Sequence, residues 1–507
     1  MQDVMNFIFT KRNYKYFMTI IGCCTNIIMC IFSLLPPYLL KKPNLYVTLI
    51  NSSNEPKNIN FNHSVDFKDE YCDSSKYIIK KDQINSLHNW AYEYDLYCDK
   101  VKDIYGAAIV ISLFSGATLG NIIFETFPDK YGRQKIYKIL SIFEVVLMIN
   151  LILDFGIIHI IITMFFIGIN LYVFPLLYVV VTEFVVDDLG LILGLINAIY
   201  PLGGILVAIW FMTINDLKKL FIVLCISLII LNYFLLKYLY ETPRWLHSQG
   251  RKKECLEVLT NAAKFNNIEE EWNIYQKNNY EIIESLGSKK ENSSVNYGFF
   301  QILKIESQKY KFIYTLIVWG LTGVCFYGIV LYLDQMKGNF FTNAILTFLG
   351  ELIAEFGSGF LIDIYGRKKI TVLLMIGGMG FFLLYELLPE SFSGITLFFA
   401  MMGVAGNFNS FSVLVSETFA TEIRGTVLSD GFILERLVPI FIKIIGLFFS
   451  KRIIDIIFIL SGFFSAYMTD KYFKETLGQK PKDFIYEDED GNRTNDLKLN
   501  FLENNKK

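Results

Sequence analysis

The chain has 507 residues, of which 53% are hydrophobic and 19% are charged, and its formal net charge is −2. A soluble protein carries about 25% charged residues, and a near-neutral charge gives no indication of a nucleic-acid partner, so we expect none. The charges lie in clumps between apolar runs, and about 20 apolar residues can span a bilayer. This composition excludes an ordinary soluble domain and predicts a multi-pass membrane protein in contact with the lipid bilayer.

Twelve apolar runs predict twelve transmembrane helices. Backbone groups in lipid must be satisfied within the segment, and the alternating ten-residue segments of a β-barrel are missing, so we expect helices. The first run is too long for a signal-peptide core and no small-residue cleavage site follows it. The last run is short and contains Asp455. The predicted spans are 16–40, 104–125, 136–155, 157–182, 189–213, 218–240, 310–333, 340–362, 369–388, 394–417, 425–449 and 453–469.

Basic residues in the short loops predict a cytosolic N terminus. Those before span one, after span two and after span eight share one side: Lys11, Arg12, Lys15, Lys130, Arg133, Lys135, Arg367, Lys368 and Lys369. Four basic residues fall on the opposite side: Lys218, Lys219, Lys451 and Arg452. The predicted units are a cytosolic segment (1–15), a six-helix bundle (16–240), a cytosolic linker (241–309), a second six-helix bundle (310–469) and a cytosolic tail (470–507).

The polar segment 41–103 is predicted to be a large extracellular loop. It contains two N-x-S/T sequons, at Asn51 and Asn62, which we expect to be glycosylated. It also contains Cys72 and Cys98, while the other six cysteines lie in spans or on the cytosolic side. An isolated pair on the oxidising side favours a disulfide between Cys72 and Cys98, although two free thiols in one loop are the alternative.

The linker between the two sets of six spans is rich in Lys and Glu. Its stretch "RKKECLEVLTNAAKF" (251–265) places Leu256, Leu259 and Ala263 on one helix face. We interpret this helix as a solvated connector rather than a partner site. The acidic tail after residue 470 is predicted to be disordered.

A charged turn occurs twice in the chain, as "PDKYGRQK" (128–135) and "IDIYGRKK" (362–369). The matched residues are separated by 234 positions, and so are two further acidic pairs. The pairs are Asp129 with Asp363, Gly132 with Gly366, Arg133 with Arg367, Glu183 with Glu417, and Asp188 with Glu422. Chance similarity of apolar helices would not align charged loop residues, so the chain contains an internal duplication of six helices.

Two parallel six-helix repeats are the organisation of the major facilitator superfamily, and the charged turn resembles its signature motif. The first copy departs from the motif, with Glu125 where the family usually keeps glycine. An Asp at a cytosolic helix end can lie against a neighbouring helix N terminus. The resemblance implies that Arg133 meets Glu183 and Arg367 meets Glu417, as latches that close when the protein opens outward. The alternative is that the basic residues of the turn only set the orientation of the spans in the membrane. That would explain the basic residues but not the paired acids.

Three further stretches resemble the organic cation/anion transporters of this superfamily: "YEYDLYC" (92–98), "YETPRWLHSQGR" (240–251) and "SETFATEIRGT" (416–426). The resemblance assigns Arg424, in the last stretch, to the gating motif. The large first loop favours organic-ion carriers over sugar porters, and span seven lacks the paired glutamines of sugar porters. Met164 stands where the family normally begins span four with Arg.

Ionisable residues inside spans cost several kcal/mol unless they are paired or hydrated, so they are candidates for substrate binding. Glu351 and Glu355 lie four residues apart in span eight and therefore share a helix face. In the resembled family, Arg436 matches anion and carnitine-type carriers, whereas Glu355 matches cation carriers. The acids in spans eight and eleven outnumber the bases by four to two, which favours a cation or a zwitterion. We expect Arg436 and Glu355 to approach each other across the cavity.

Aromatic and polar positions complete the candidate substrate site. Phe326 and Tyr327 in span seven and Phe408 in span ten match aromatic positions of the resembled family, and Asn26 matches a polar position in span one. Rings around an organic cation supply cation–π attraction of about 0.5–2 kcal/mol each. The alternative is that these rings are ordinary core residues, because 16% of the chain is aromatic.

The resemblance implies a carrier that moves a small organic ion by alternating access, as a monomer in the plasma membrane. No cofactor or metal is expected, and no P-loop for ATP or cluster of catalytic residues is present in the sequence. Span one lacks Asp and Glu, which favours facilitated or exchange transport over proton coupling. A sugar porter and a substrate-sensing receptor on a carrier fold are the alternatives.

Overall fold

The computed structural model describes residues 1–10, 13–49, 59–61, 77–81, 86–96, 100–124, 126–284, 286 and 298–478. These residues form helices almost throughout. The helices are α1 (Gln2–Phe9), α2 (Asn13–Leu34), α3 (Pro36–Leu40), α4 (Trp90–Glu93), α5 (Lys100–Phe124), α6 (Phe127–Tyr131), α7 (Arg133–Leu153), α8 (Ile157–Asn170), α9 (Val173–Phe184), α10 (Leu189–Thr213), α11 (Leu217–Tyr238), α12 (Pro243–Ser248), α13 (Lys252–Phe265), α14 (Glu269–Asn278), α15 (Tyr280–Glu284), α16 (Phe299–Ile302), α17 (Glu306–Leu331), α18 (Phe340–Tyr365), α19 (Arg367–Leu387), α20 (Ser393–Thr418), α21 (Thr421–Gly446) and α22 (Lys451–Tyr472).

The predicted all-helical fold is confirmed. In the described part of the chain, eleven helical segments are long and apolar enough to cross a membrane. The predicted eleventh span is the 26-residue helix α21, which is not among them because it carries several charged side chains. The last span is longer than predicted, because Asp455 accepts a hydrogen bond from Lys451 one turn earlier (2.6 Å) and helix α22 continues through it.

Two of the spans are interrupted helices. The first is α2 followed by α3, and the break precedes Pro36 and Pro37, which have no N–H to continue the helical hydrogen bonds. The fourth is α8 followed by α9. Pro175 has no N–H to donate to the carbonyl of Leu171, which accepts from the N–H of Phe174 instead (3.3 Å).

Three of the four basic residues that depart from the predicted topology, Lys218, Lys219 and Lys451, pair with acids. Lys218 Nζ lies 3.3 Å from Glu93 and 3.5 Å from Asp154, both near the same end of the bundle. Lys219 pairs with Asp216 (3.3 Å) and Lys451 with Asp455 (2.6 Å). These acids neutralise the lysines, which explains locally why basic residues also occur on the predicted extracellular side.

The large loop contains a small antiparallel sheet, in the order β2-β1-β3, that was not predicted. Its strands are β1 (Leu45–Leu49), β2 (Ile59–Phe61) and β3 (Tyr77–Lys81). The predicted disulfide and glycosylation residues, Cys72, Cys98, Asn51 and Asn62, lie outside the described residues and stay predictions. The tail beyond residue 478 lies outside them as well.

Helix α13 of the linker is not simply a solvated connector. It buries Cys255, Leu259, Ala262 and Ala263 on one face, and it packs against α1, α2 and α12. Helix α1 in turn buries Val4, Met5, Ile8 and Phe9. The Asn266 side chain joins these parts, since it donates to the carbonyl of Ile8 and accepts from the N–H of Tyr14 (both 2.8 Å). The earlier interpretation is therefore wrong for the buried face of α13.

The apolar core consists of three clusters whose positions describe how the two halves meet. The first contains residues of both halves at the end of the bundle next to loop 41–103, such as Tyr38, Phe211 and Phe340. The second lies at the opposite end and belongs to the N-terminal half and the linker. The third lies at that end in the C-terminal half. In the described residues, the halves thus share a core at the predicted extracellular end and have separate cores at the cytosolic end.

Contacts at the predicted extracellular end close it. The ring of Tyr38 in α3 lies 5.0 Å from that of Phe340 in α18, and the Lys41 ammonium lies 4.5 Å from the centre of the Phe340 ring. Burial raises the pKa of Asp334, although Lys443 and Lys41 oppose that shift. Asp334 and Lys443 belong to the C-terminal half and Lys41 to the N-terminal half, so opposite charges meet where the halves join.

Candidate functional site

The first charged turn forms an ion-pair network within the N-terminal half. The guanidinium of Arg133, at the start of α7, lies 2.8 Å from Asp129 in α6 and 3.2 Å from Glu183 in α9. It also donates to the carbonyl of Pro128 (3.3 Å) and stacks over the ring of Trp245 at 5.8 Å. The Trp245 indole N–H donates to the carbonyl of Asp129 (2.8 Å).

The second charged turn has the same geometry in the C-terminal half. Arg367 lies 3.1 Å from both Asp363 and Glu417, and it donates to the carbonyl of Ile362 (3.1 Å). Glu417 also accepts a hydrogen bond from the hydroxyl of Thr476. The two networks join elements within a half, so the described contacts of Arg133 and Arg367 do not themselves connect the halves.

The acids that lie at the N termini of α7 and α19 are Glu241 and Glu475. Glu241 accepts from the backbone N–H groups of Arg133 (3.0 Å) and Gln134 (3.2 Å), and Glu475 accepts from that of Arg367 (2.8 Å). The positive end of a helix dipole favours such anions. An Asp of the turn was predicted in this place, and neither glutamate was predicted. The signal was available, because Glu241 and Glu475 are also 234 positions apart (475 − 241).

The two capping glutamates differ in their electrostatics. Burial raises the pKa of Glu241, although backbone N–H groups oppose the shift. Burial also acts to raise the pKa of Glu475, but the N–H groups of Leu477, Arg367 and Lys369 outweigh it and hold that pKa below its ordinary value. A depressed pKa means that Glu475 stabilises the fold at neutral pH, and that this contribution is lost as the pH falls through the folded-state pKa.

Glycine is required at the centre of each charged turn. Gly132 and Gly366 both have φ of 103°, with extended ψ, a region that is essentially restricted to glycine. A Cβ at Gly132 would lie 2.3 Å from Glu241, and one at Gly366 would lie 2.5 Å from Glu475. Glycine therefore supplies the backbone conformation and the space in which the capping carboxylate sits.

Replacing Gly366 by Ala is expected to lower the thermal unfolding temperature more than replacing Gly156 by Ala. Gly156 also has positive φ (109°) but nothing lies within 4 Å of a Cβ there, so it reports the backbone strain alone. Gly366→Ala must in addition displace Glu475, whose charge-assisted hydrogen bonds are each worth about 1.5–3 kcal/mol. Thermal unfolding of the purified variants in detergent measures the difference. Equal unfolding temperatures for the two variants would contradict this role of Glu475.

Arg424 contributes a local contact at the cytosolic end of α21. Its side chain donates to the carbonyl of Phe419, at the end of α20, with Nε and Nη2 both 3.4 Å away. The structure therefore places Arg424 at the joint between α20 and α21. Among the described residues, no ion pair joins Arg424 to Glu417.

A second polar cluster lies in the middle of the C-terminal half. Arg436 in α21 donates to the hydroxyl of Tyr327 in α17 (3.1 Å), and that hydroxyl donates to the carboxylate of Glu435 (2.8 Å). Tyr327 is 1% exposed, and its ring contacts Phe114 of the N-terminal half at 5.4 Å between centroids. This cluster therefore lies where α17 and α21 meet the opposite half.

The two candidate acids of α18 lie at the interface between the halves. Glu351 is 2% exposed and its Oε2 has no hydrogen-bond partner. Cys30 of α2 and Tyr200 of α10 lie within electrostatic range of Glu351, and Tyr200 also lies within that range of Arg436. Among the described residues, no ion pair joins Arg436 to Glu351 or to Glu355, the acid that was predicted to lie near it. The bond that Arg436 forms is the one to Tyr327.

Helices α10 and α18 approach closely beside these acids. A Cβ at Gly204 of α10 would lie 2.6 Å from the ring of Phe348, one turn before Glu351, and one at Gly203 would lie 1.9 Å from Cys30 Sγ. Glycine at both positions lets α2, α10 and α18 close around the Glu351 carboxyl. Glu355, one turn further along, is partly exposed, and its carbonyl accepts from the Asn409 side chain (3.4 Å).

The predicted aromatic residues form one layer in the C-terminal half. The rings of Phe326 and Phe408 are 6.3 Å apart, and Trp319 lies 5.9 Å from Phe408. Phe326 and Phe408 are only partly buried, whereas Trp319 is 1% exposed and was not predicted. Asn26 lies apart from this layer, in α2, where its amide donates to the carbonyl of Ile196.

This arrangement offers two kinds of binding group around Tyr200, which lies within electrostatic range of both Glu351 and Arg436. Glu351 presents an unpaired carboxyl oxygen, and Arg436 presents a guanidinium with donors left over after its single bond to Tyr327. The partly exposed rings of Phe326 and Phe408 lie near Arg436, because Phe326 contacts Tyr327 and Tyr327 bonds Arg436. Such a set can hold a small ion with a cationic group, an anionic group, or one of each.

A family model described as "Major Facilitator Superfamily" matches residues 101–441, which is more than half of the chain. The chain belongs to the major facilitator superfamily. The predicted superfamily is confirmed. This superfamily member is thus a multi-pass membrane protein and a transporter by family.

Curated relatives of this superfamily member include an organic cation/carnitine transporter and a β-alanine transporter. "Organic cation/carnitine transporter 2" of Rattus norvegicus is 24% identical over 68% of this chain. The match covers 63% of that relative's length. "Solute carrier family 22 member 15-like" of Xenopus tropicalis is 24% identical over 80% of each chain. The "Beta-alanine transporter" of Drosophila melanogaster is 22% identical, over 76% of this chain and 66% of its own.

Solved structures share the fold. The xylose transporter XylE from E. coli in an inward-open conformation superposes with a TM-score of 0.63 at 14% identity, covering 93% of this chain and 99% of its own. At that identity the likeness supports the two-half helical fold alone and carries no information on the substrate of this superfamily member.

Proposed function

We propose that this protein transports small organic cations or zwitterions across the plasma membrane by alternating access, as a monomer. The substrates named for two curated relatives, organic cations with carnitine and β-alanine, support the substrate class. The matched part of the first relatives is less than two thirds of their length, so their substrates serve here only as a guide.

The observation that carries the proposal is the Glu351 carboxyl at the interface of the halves. Glu351 is 2% exposed and its buried Oε2 is unbonded, so this oxygen lacks the partner that burial normally requires. The cationic group of a substrate would supply that partner. Arg436 and its free donors would bind a carboxylate on the same molecule, which favours a zwitterion such as a betaine or an ω-amino acid.

Alternating access is supported by the uneven contact between the halves. They share an apolar core at the predicted extracellular end and have separate cores at the cytosolic end, as in a cleft that opens to the cytosol. In the outward-opening step the cytosolic ends approach each other. We propose that Arg133 with Glu183, and Arg367 with Glu417, hold the helix ends of each half in the geometry that this closure needs.

Only the likeness of fold supports the alternative that the protein is a sugar porter. The xylose transporters are 14–15% identical to this chain, whereas the curated relatives named above carry organic ions. A hexose also has no ionic group to pair with Glu351 or Arg436. No observation in the described residues favours a sensor over a carrier.

Uptake of a labelled panel by cells that express the chain tests the substrate class. The panel contains a quaternary ammonium cation, L-carnitine, β-alanine, an organic anion and a hexose. We expect uptake of a cation or a zwitterion above that of cells without the protein, with the protein confirmed at the cell surface. Uptake of the hexose alone, or of the anion alone, would contradict the proposal.

A further inference from the structure

A buried polar pair in the N-terminal half takes no part in the sites described above. Glu144 lies in α7 and Asn170 is the last residue of α8, and their side chains are 3% and 1% exposed. Both line a narrow gap between α2, α7 and α8. The rest of the lining is apolar: Met29, Phe32, Leu147, Met148, Ile167 and Leu171.

Neither side chain is satisfied within the described structure. Glu144 Oε1 and both polar atoms of the Asn170 amide have no hydrogen-bond partner. Among the described residues, no cation pairs with Glu144. Tyr137 lies within electrostatic range of Glu144, and its hydroxyl is hydrogen-bonded with Thr25 (3.0 Å). An ionised carboxylate alone among apolar side chains in the membrane is costly. Glu144 therefore carries a proton in this conformation.

The charged groups near α7 lie toward its ends and have partners there, whereas the thiol of Cys24 in α2 lies within electrostatic range of Tyr137. Helices α6, α8, α9 and α11 pack against α7. Asp129 of α6 and Glu183 of α9 both pair with Arg133, and His159 of α8 is hydrogen-bonded with Asn150. In α11, Lys218 pairs with Glu93 and Asp154. Lys237 of the same helix lies over the rings of Tyr233 and Tyr238. From α11 the neutral Asn232 bonds Ser141, one turn before Glu144.

The broken fourth span adds a second, independent feature at the gap. Helix α8 ends at Asn170 and α9 begins at Val173, and Leu171 between them lines the gap. The C-terminal end of a helix carries partial negative charge, which disfavours an anion nearby and favours a proton. Irregular backbone within a membrane is tolerated where it is buried in protein or lines a water-filled cavity. In carriers, discontinuous helices form the binding sites for substrates and coupling ions.

We propose that Glu144 is a proton-binding site whose occupancy changes during the transport cycle. When the halves rearrange and water reaches the gap, the O–H bond of the Glu144 carboxyl breaks heterolytically. The proton passes to a water molecule, and the carboxylate that remains accepts a hydrogen bond from the Asn170 amide. No electron is transferred, and the reverse step reloads the proton. The inference rests on the proposed transport function and makes that transport proton-coupled, whereas the acid-free first span favoured uncoupled transport.

Infrared spectroscopy of the purified full chain in lipid tests the proton directly, with no substrate. The wild type is expected to show the C=O stretch of a protonated carboxyl at neutral pH that shifts in D2O. Glu144→Gln, which keeps the size and neutrality of the protonated acid, should lose the part of that intensity that Glu144 contributes. The control Glu269→Gln replaces an exposed acid of α14 that pairs with Lys264, and it should keep the band. Identical spectra for the wild type and Glu144→Gln would overturn the proposal.

Proteoliposomes with a pH gradient and no membrane potential test the coupling, with labelled L-carnitine, β-alanine and a quaternary ammonium ion as probes. For one coupled proton, the wild type should accumulate a probe up to about tenfold per unit of pH gradient, because one pH unit corresponds to a factor of ten in proton activity. Glu144→Gln should lose accumulation while it still exchanges labelled for unlabelled probe. Exchange by the wild type without any response to the pH gradient, or accumulation driven by sodium instead, would overturn the coupling. If no probe moves at all, the proposed function fails, while the infrared result still decides whether Glu144 binds a proton.

Discussion

Replacing Glu351 by Gln is expected to lower the initial rate of cation or zwitterion uptake about 30-fold or more below saturation. The amide keeps the shape of the side chain in the space between α2, α10 and α18 but removes the negative charge that would pair with the substrate. Loss of one partner of a buried charge pair costs about 2–5 kcal/mol, and 2 kcal/mol corresponds to about 30-fold. Uptake is normalised to the amount of protein at the cell surface. Glu390→Gln, at an exposed external turn, is the matched control and should leave uptake unchanged.

The parallel variant Arg436→Gln separates the substrate classes. If the substrate is a zwitterion, Glu351→Gln and Arg436→Gln should both abolish its uptake. If it is a simple cation, Arg436→Gln should preserve or improve uptake, because the guanidinium repels it. If it is an anion, the pattern reverses. Full uptake of every probe by Glu351→Gln would show that this carboxyl is not part of the substrate site.

Arg367→Ala and Glu417→Ala are each expected to lower transport about tenfold, and the double variant should be at most about threefold worse than either. The two side chains lie 3.1 Å apart and are 15% and 21% exposed, so either one alone is left with a partly buried charge. Residues in one ion-pair network couple by about 0.5–3 kcal/mol, so their effects do not add. The measurement is a double-mutant cycle on initial uptake rates.

The exposed pair of Lys264 and Glu269 in the linker provides the control cycle. Its atoms are 3.3 Å apart but more than half exposed, and exposed pairs contribute little. Ala variants of this pair should leave transport within about twofold of the wild type because the pair is worth at most about 1 kcal/mol. Additive losses at Arg367 and Glu417 would mean that the two residues act on transport separately.

The helical architecture and the charged turns could be predicted because they depend on local patterns. Apolar runs of span length identify helices almost independently of their neighbours. The 234-residue register aligned Arg133 with Arg367 and Glu183 with Glu417, and both pairs form. The same register contained Glu241 and Glu475, but these acids follow a span instead of lying in the repeated turn, so their capping role required the three-dimensional fold.

The centre of the molecule could be predicted only in part, because it depends on which helix faces meet. Spacing placed Glu351 and Glu355 on one face but could not show that Glu351 alone is fully buried beside Cys30. Arg436 bonds Tyr327, whose hydroxyl donates to Glu435, a contact that spacing along α21 could not predict, and the approach of Arg436 to Glu355 stays a prediction. Glu144 was overlooked because it has no acidic counterpart 234 residues later and belongs to no motif.

Counterflow in proteoliposomes of the purified chain tests the central claim, that one organic-ion site is exposed alternately to the two sides of the membrane. Vesicles are preloaded with an unlabelled cation or zwitterion from the uptake panel, and entry of the same labelled compound is followed at equal pH on both sides. Alternating access predicts that preloading accelerates entry of the label and produces a transient overshoot, and that Glu351→Gln abolishes it. Entry that is unaffected by preloading with every compound of the panel, or an overshoot that appears only with a hexose and persists in Glu351→Gln, would contradict the account.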